Sequence, residues 1–65
     1  GNWILYTDAS RIGNTFEVTD NQGRLIYRST IQQSTTPIHL DVASGLYLLK
    51  ISAGNANRTF KLVKL

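Results

Sequence analysis

The sequence predicts an all-β domain, an antiparallel sandwich or small barrel of six short strands. Three observations predict it. Apolar and polar residues alternate with period two along most of the chain. The alternating runs are separated by short clusters of Gly, Asn, Asp and Ser, the residues that form tight turns. No segment holds a helical period over three turns.

Each element follows in order. Trp3-Ile4-Leu5-Tyr6 reads as the first strand, and Ile12-Gly13 ends the loop after it. In segment 14–20, Phe16 and Val18 share one face while Thr15, Glu17 and Thr19 share the other, so this strand is half-buried. Asp20-Asn21-Gln22-Gly23 are turn formers, with Gly23 able to supply a positive φ. Segments 14–20 and 24–29 therefore form a β-hairpin. In its second strand Leu25 and Tyr27 share a face against Arg24, Ile26 and Arg28. Segment 30–36 is polar and reads as a loop or an edge. Pro37 belongs at a strand start or an edge, because it cannot donate to a ladder. Ile38 and Leu40 then face the core, with His39 and Asp41 opposite. After the short turn 42–45, segment 46–52 is apolar on both faces: Tyr47, Leu49 and Ile51 on one, Leu46 and Leu48 on the other. That pattern places it in the middle of a sheet or under a partner. Ala53-Gly54-Asn55-Ala56-Asn57 makes a second tight turn, and 58–65 is the last strand.

Composition excludes several functions. A chain of 65 residues has room for one core and no second domain. There is no cysteine and a single histidine, His39, so no disulfide, thiolate metal site or His-rich centre is expected. No apolar run approaches the roughly 20 residues of a membrane-spanning helix. The net charge of +3 permits an acidic partner without demanding one.

Catalysis finds no support. The acidic residues Asp8, Glu17, Asp20 and Asp41 lie on different strands and turns, and no spacing pairs them. His39 reads as an exposed strand residue with neither nucleophile nor orienting acid fixed beside it. Ser44-Gly45 leads into a strand, not into a helix N-terminus that could hold phosphate. The chain is read as a non-enzyme without metal or cofactor. Nucleic-acid binding is set aside as well. Tyr6, Phe16, Tyr27, Tyr47 and Phe60 fall mostly on core-facing positions, and the basic residues are dispersed, whereas single strands need exposed aromatics in a basic groove.

Three segments carry a family resemblance. Phe16-Glu17-Val18-Thr19-Asp20-Asn21-Gln22-Gly23-Arg24-Leu25-Ile26 resembles a hairpin of the pattern apolar-x-Val-x-Asp-x-x-Gly-Arg-apolar-apolar. Ile38-His39-Leu40-Asp41, followed by Ala43-Ser44-Gly45-Leu46-Tyr47-Leu48-Leu49-Lys50-Ile51, resembles a Gly-x-Tyr segment. Arg58-Thr59-Phe60-Lys61-Leu62-Val63-Lys64-Leu65 resembles a terminal Lys-apolar-Val-Lys motif. In this order the three resemble the C-terminal sorting domain, type A, of type IX secretion cargo, the Por secretion system of Bacteroidetes-type bacteria. The resemblance runs from Asn14 to Leu65. The family's proline-containing opening segment has no match, since the one proline is Pro37. Either an N-terminal strand is missing or this member diverges from the family there.

The resemblance implies a small Ig-like β-sandwich of about six or seven strands, a single sorting domain over 1–65 that is a fragment of a larger secreted protein. It implies cargo that passes through the periplasm and reaches the cell surface or the medium. Its partners would be the outer-membrane translocon with its shuttle components and a sortase-like peptidase that removes the domain. Lys61, Val63, Lys64 and Leu65 are the expected recognition residues. Alternation puts Lys61, Val63 and Leu65 on one side and Lys64 beside Phe60 and Leu62 on the other. Gly23, Gly45 and Tyr47 are expected to support the signal structurally, with the Tyr47 ring in the core and its hydroxyl on a backbone partner. Two bland readings compete. The lysines could only blunt an edge strand, or the chain could be an Ig- or fibronectin-like adhesive or spacer module. An incomplete sandwich further implies self-association through an exposed strand edge.

Overall fold

A computed structural model describes residues 1–53 and 56–65. The elements are β1 (Asn2–Tyr6), a 3-10 turn (Ala9–Arg11), β2 (Thr15–Asp20), β3 (Leu25–Thr30), β4 (Thr35–His39), β5 (Gly45–Ala53) and β6 (Ala56–Lys64). The 3-10 turn lies inside what the sequence reads as plain loop. Residues 54 and 55 of the turn expected over 53–57 lie outside the described residues.

The strands form two antiparallel sheets. β1 pairs with β4, and the larger sheet has the order β3-β2-β5-β6. The sandwich core lies between them. Phe16 and Val18 of β2, Tyr47, Leu49 and Ile51 of β5, and Ile38 and Leu40 from β4 and just past it are all buried. Trp3, Leu5, Val42 and Leu62 pack against this cluster. Burying each such side chain stabilises by about 1.5–3 kcal/mol, the main force holding the sheets together. β5 lies inside the larger sheet, its inner face in the core, while Leu46 on its outer face is exposed.

Three expectations are corrected. Segment 30–36 is a loop running into an edge strand, as expected, but it is not wholly polar in its placement. Thr35 and Thr36 open β4, and Ile31 is fully buried. The Ile31 N–H donates to the Asn14 carbonyl and its own carbonyl accepts from the Gly13 N–H. The crossing between sheets is thereby tied to the hairpin base and carries one apolar side chain inward, a single residue that leaves no periodic trace. Leu25 and Tyr27 do not share a face. The register runs Val18↔Tyr27 and then Thr19↔Leu25, so a β-bulge shifts the ladder and sends Leu25 to the outer face with Thr19. Of the five aromatics expected mostly in the core, Phe16 and Tyr47 are buried, but Tyr6, Tyr27 and Phe60 are exposed. The reason is that β3 and β6 are the edges of the larger sheet and β1 is an edge of the smaller one. Pro37 sits mid-way along β4, which has a partner on one side only, a position that tolerates a missing donor.

Candidate functional site

The three motifs of the sequence meet at one end of the sandwich. The cause is register. Along β5 and β6, Gly45 faces Lys64, Leu46 faces Val63 and Tyr47 faces Leu62. Across the other edge of β5, Tyr47 faces Asp20. The Asp20–Arg24 loop and the Ser44–Tyr47 segment line a shared cleft of about 190 Å³. Residues far apart in the chain thus become one surface.

The hairpin loop is built around the Asp20 carboxylate. One oxygen accepts from the backbone N–H groups of Gln22 and Arg24, both at 2.9 Å, and the other accepts from Arg24 Nε at 2.8 Å. The Asp20 carbonyl accepts from the Gly23 N–H at 3.1 Å, and the Asp20 N–H donates to the Arg24 carbonyl at 3.0 Å. Gly23 has φ +86°, a conformation that glycine adopts without a steric penalty. The Asp-x-x-Gly-Arg pattern is therefore accounted for by turn geometry: the aspartate caps the loop, the glycine permits it, and the arginine neutralises it. The Arg24 backbone N–H, foremost, holds the Asp20 carboxyl below its ordinary range. Burial pushes the other way, and the Arg24 guanidinium and the Gln22 N–H add to the lowering.

A pH dependence follows. A carboxyl with a lowered folded value stabilises the fold in full above its ordinary value of 3.8 and loses that contribution as pH falls through the lower folded value. Asp20→Asn is expected to lower the melting temperature at pH 7. The gap between variant and parent should narrow on acidification below pH 3.8, as pH falls through the lowered folded value and the parent's carboxyl is protonated. Thermal melts of both proteins from pH 2 to 7 check this, and a gap that stays constant with pH would assign the loss to something other than the charge.

The Gly45–Tyr47 segment is likewise structural in its geometry. Gly45 enters β5 at φ +152°, and a Cβ there would meet nothing within 4 Å. Backbone conformation, not space, requires glycine at this position. The Tyr47 hydroxyl donates to the Ala43 carbonyl at 2.6 Å while its ring lies in the core. The turn before β5 is thereby pinned to the strand that follows it.

The expected recognition residues divide between two faces of β6. Lys61 and Val63 are exposed on the outer face, opposite Leu48 and Leu46 of β5. Leu65 follows the strand and is 99% exposed. Lys64 turns inward and is half-buried, its Cδ lying 3.1 Å from where a Cβ on Gly1 would be. The outer surface is therefore a mixed one, a cation beside apolar side chains. Leu46 and Leu48 belong to it, although the sequence reading did not include them in the site. Their signal was present in the second apolar face of the β5 segment.

The remaining polar residues have ordinary roles. Glu17 accepts from the Arg28 guanidinium directly across the β2–β3 ladder, an exposed pair of small energetic value. His39 is exposed, with Nδ1 at 2.6 Å from the Asn2 Oδ1 across the β1–β4 ladder.

Comparison with protein families gives a match to the family described as secretion system C-terminal sorting domain over residues 3–65. Comparison with curated proteins and with solved structures gave no match.

Proposed function

The chain belongs to the family of secretion system C-terminal sorting domains, and from that premise we propose that it directs its cargo through the outer-membrane translocon of a type IX system. The cargo passes through the periplasm to the cell surface or the medium, and a sortase-like peptidase then removes the domain. The match along residues 3–65 is the observation that carries this reading. The geometry supports it in one respect. The terminal motif is displayed on an edge strand, held by the Gly-x-Tyr segment beside it, so fold and signal depend on each other. On this reading Lys61, Val63 and Leu65 are touched by the translocon or its shuttle, and Lys64 sets the end of the strand. Gly23, Gly45 and Tyr47 act by keeping that end in shape.

A transplant tests the proposal. The 65 residues are fused to the C-terminus of a periplasm-directed fluorescent reporter in a bacterium with a type IX system. The fusion is expected outside the cell, and the reporter alone in the periplasm. Released reporter should be lighter than the fusion by up to the domain's 7.3 kDa, the signature of peptidase removal. Periplasmic retention of a folded fusion would favour an adhesive or spacer module. Export without a loss of mass would separate the sorting role, which stands, from the processing step, which would fall.

A further inference from the structure

We propose that the open side of the sandwich, between the edges of β1 and β6, accepts an extended acidic peptide strand from another protein. The proposal stands apart from the secretory reading. That reading uses the outward side chains of β6, whereas this one uses the inward side chains Arg58 and Phe60.

β1 pairs only with β4, and β6 only with β5. Among the described residues each therefore leaves one backbone edge unpaired, and such an edge is a template for an added strand. Two clefts lie side by side along this opening and share Tyr6 and Phe60. One, of about 230 Å³, is apolar, with Trp3, Leu5, Leu49 and Leu62 in its walls. The other, of about 290 Å³, is mixed: Ile51 lies in its wall with Thr7, Asp8, Arg11 and Arg58. The Thr7 hydroxyl is buried there with no hydrogen-bond partner among the described residues.

Arg58, Phe60 and Leu62 are alternate residues of β6 and point to the same side. A strand laid along β6 has its own inward side chains about 6–7 Å apart. One of these would enter the apolar cleft, and the next would reach Arg58 and Arg11. The fitting sequence is apolar-x-acidic.

Charge favours this occupant: Arg11 and Arg58 line the second cleft, and β6 itself is cationic. β6 carries Arg58, Lys61 and Lys64 and no acidic residue. An antiparallel pair of β6 edges centred on Lys61 sets Lys61 against Lys61 and Arg58 against Lys64. Like charges directly opposite are destabilising. Self-association in that register is thus disfavoured, whereas an acidic strand meets a cation at each of those positions. Of the four acidic residues, Asp20 and Glu17 are engaged by Arg24 and Arg28, and Asp8 alone lies in the cationic cleft.

Trp3, the one tryptophan, lines the apolar cleft and reports directly on its filling. The 65-residue chain is titrated with the peptide Thr-Val-Thr-Leu-Thr-Glu-Thr-Val-Thr and with its Glu-to-Lys counterpart, at low and high salt. A saturable change in Trp3 emission is expected with the acidic peptide, weakened about tenfold by the Lys exchange and weakened again by salt. Arg58→Glu is exposed and should leave the far-ultraviolet circular dichroism unchanged while reversing the preference between the two peptides. Four results would overturn the proposal: no response to either peptide, equal responses to both, a response to oligothymidylate as strong as to the acidic peptide, or sedimentation showing that the chain already pairs with itself across this edge.

Discussion

Phe16→Ala is expected to unfold the domain at room temperature. Phe16 is 1% exposed and stands in β2 between Ser29 of β3 and Ile51 of β5. Its ring meets that of Tyr27 in a tilted arrangement with centroids 5.9 Å apart. Truncation removes the transfer free energy of the ring and leaves a cavity that two flanking strands cannot close, a loss of about 3–5 kcal/mol. A core of this size supplies no more than about 3–5 kcal/mol of net stability, and no disulfide adds to it. The loss therefore equals the whole margin. The variant should show no cooperative melting transition above 25 °C, while Tyr6→Ala, 73% exposed, should melt within a few degrees of the parent. A cooperative Phe16→Ala transition close to the parent's would mean that the core collapses around the missing ring.

What the sequence made legible, and what it hid, divides along the same physical line. Alternation identified Phe16 and Val18, Ile38 and Leu40, and Tyr47, Leu49 and Ile51 as inward residues, because a strand with one buried face must repeat every two residues. Where the chain departs from a regular ladder, the signal vanished. The β3 bulge redirected Leu25, and no composition marks a bulge beforehand. Ile31 entered the core from an otherwise polar crossing, alone. Tyr6, Tyr27 and Phe60 have the composition of core residues and sit on edges, since alternation fixes parity but not which strands have neighbours on both sides. The motifs at the candidate site could each be read in the sequence, yet their convergence could not. It depends on Gly45 facing Lys64 and Tyr47 facing both Leu62 and Asp20, and register is a property of paired strands.

The register also separates two effects that deletion of the tail would confound. β6 pairs with β5 from Gly45↔Lys64 to Ala53↔Ala56, so removing residues after Arg58 strips most of an edge strand and uncovers Leu49 and Tyr47. Loss of export in such a truncation would follow from unfolding as readily as from a missing signal. Lys61→Glu combined with Val63→Asp avoids this. Both side chains are exposed on the outer face, where substitutions cost within about 0.5–1 kcal/mol. The fold should survive, with a melting temperature within several degrees of the parent. Export of a fused reporter is nevertheless expected to fall by about tenfold or more. The exchange replaces a cation with an anion and places a second charge against Leu46, which would oppose both the charge sign and the apolar desolvation of the recognition surface proposed above. Lys64→Glu offers the internal comparison. Its side chain turns inward beside Gly1 and is less available to a receptor. A larger export defect from Lys61→Glu than from Lys64→Glu, at equal stability, would place recognition on the outer face of β6. Equal defects would assign it to net charge, and full export by both would move the signal off the terminal strand altogether.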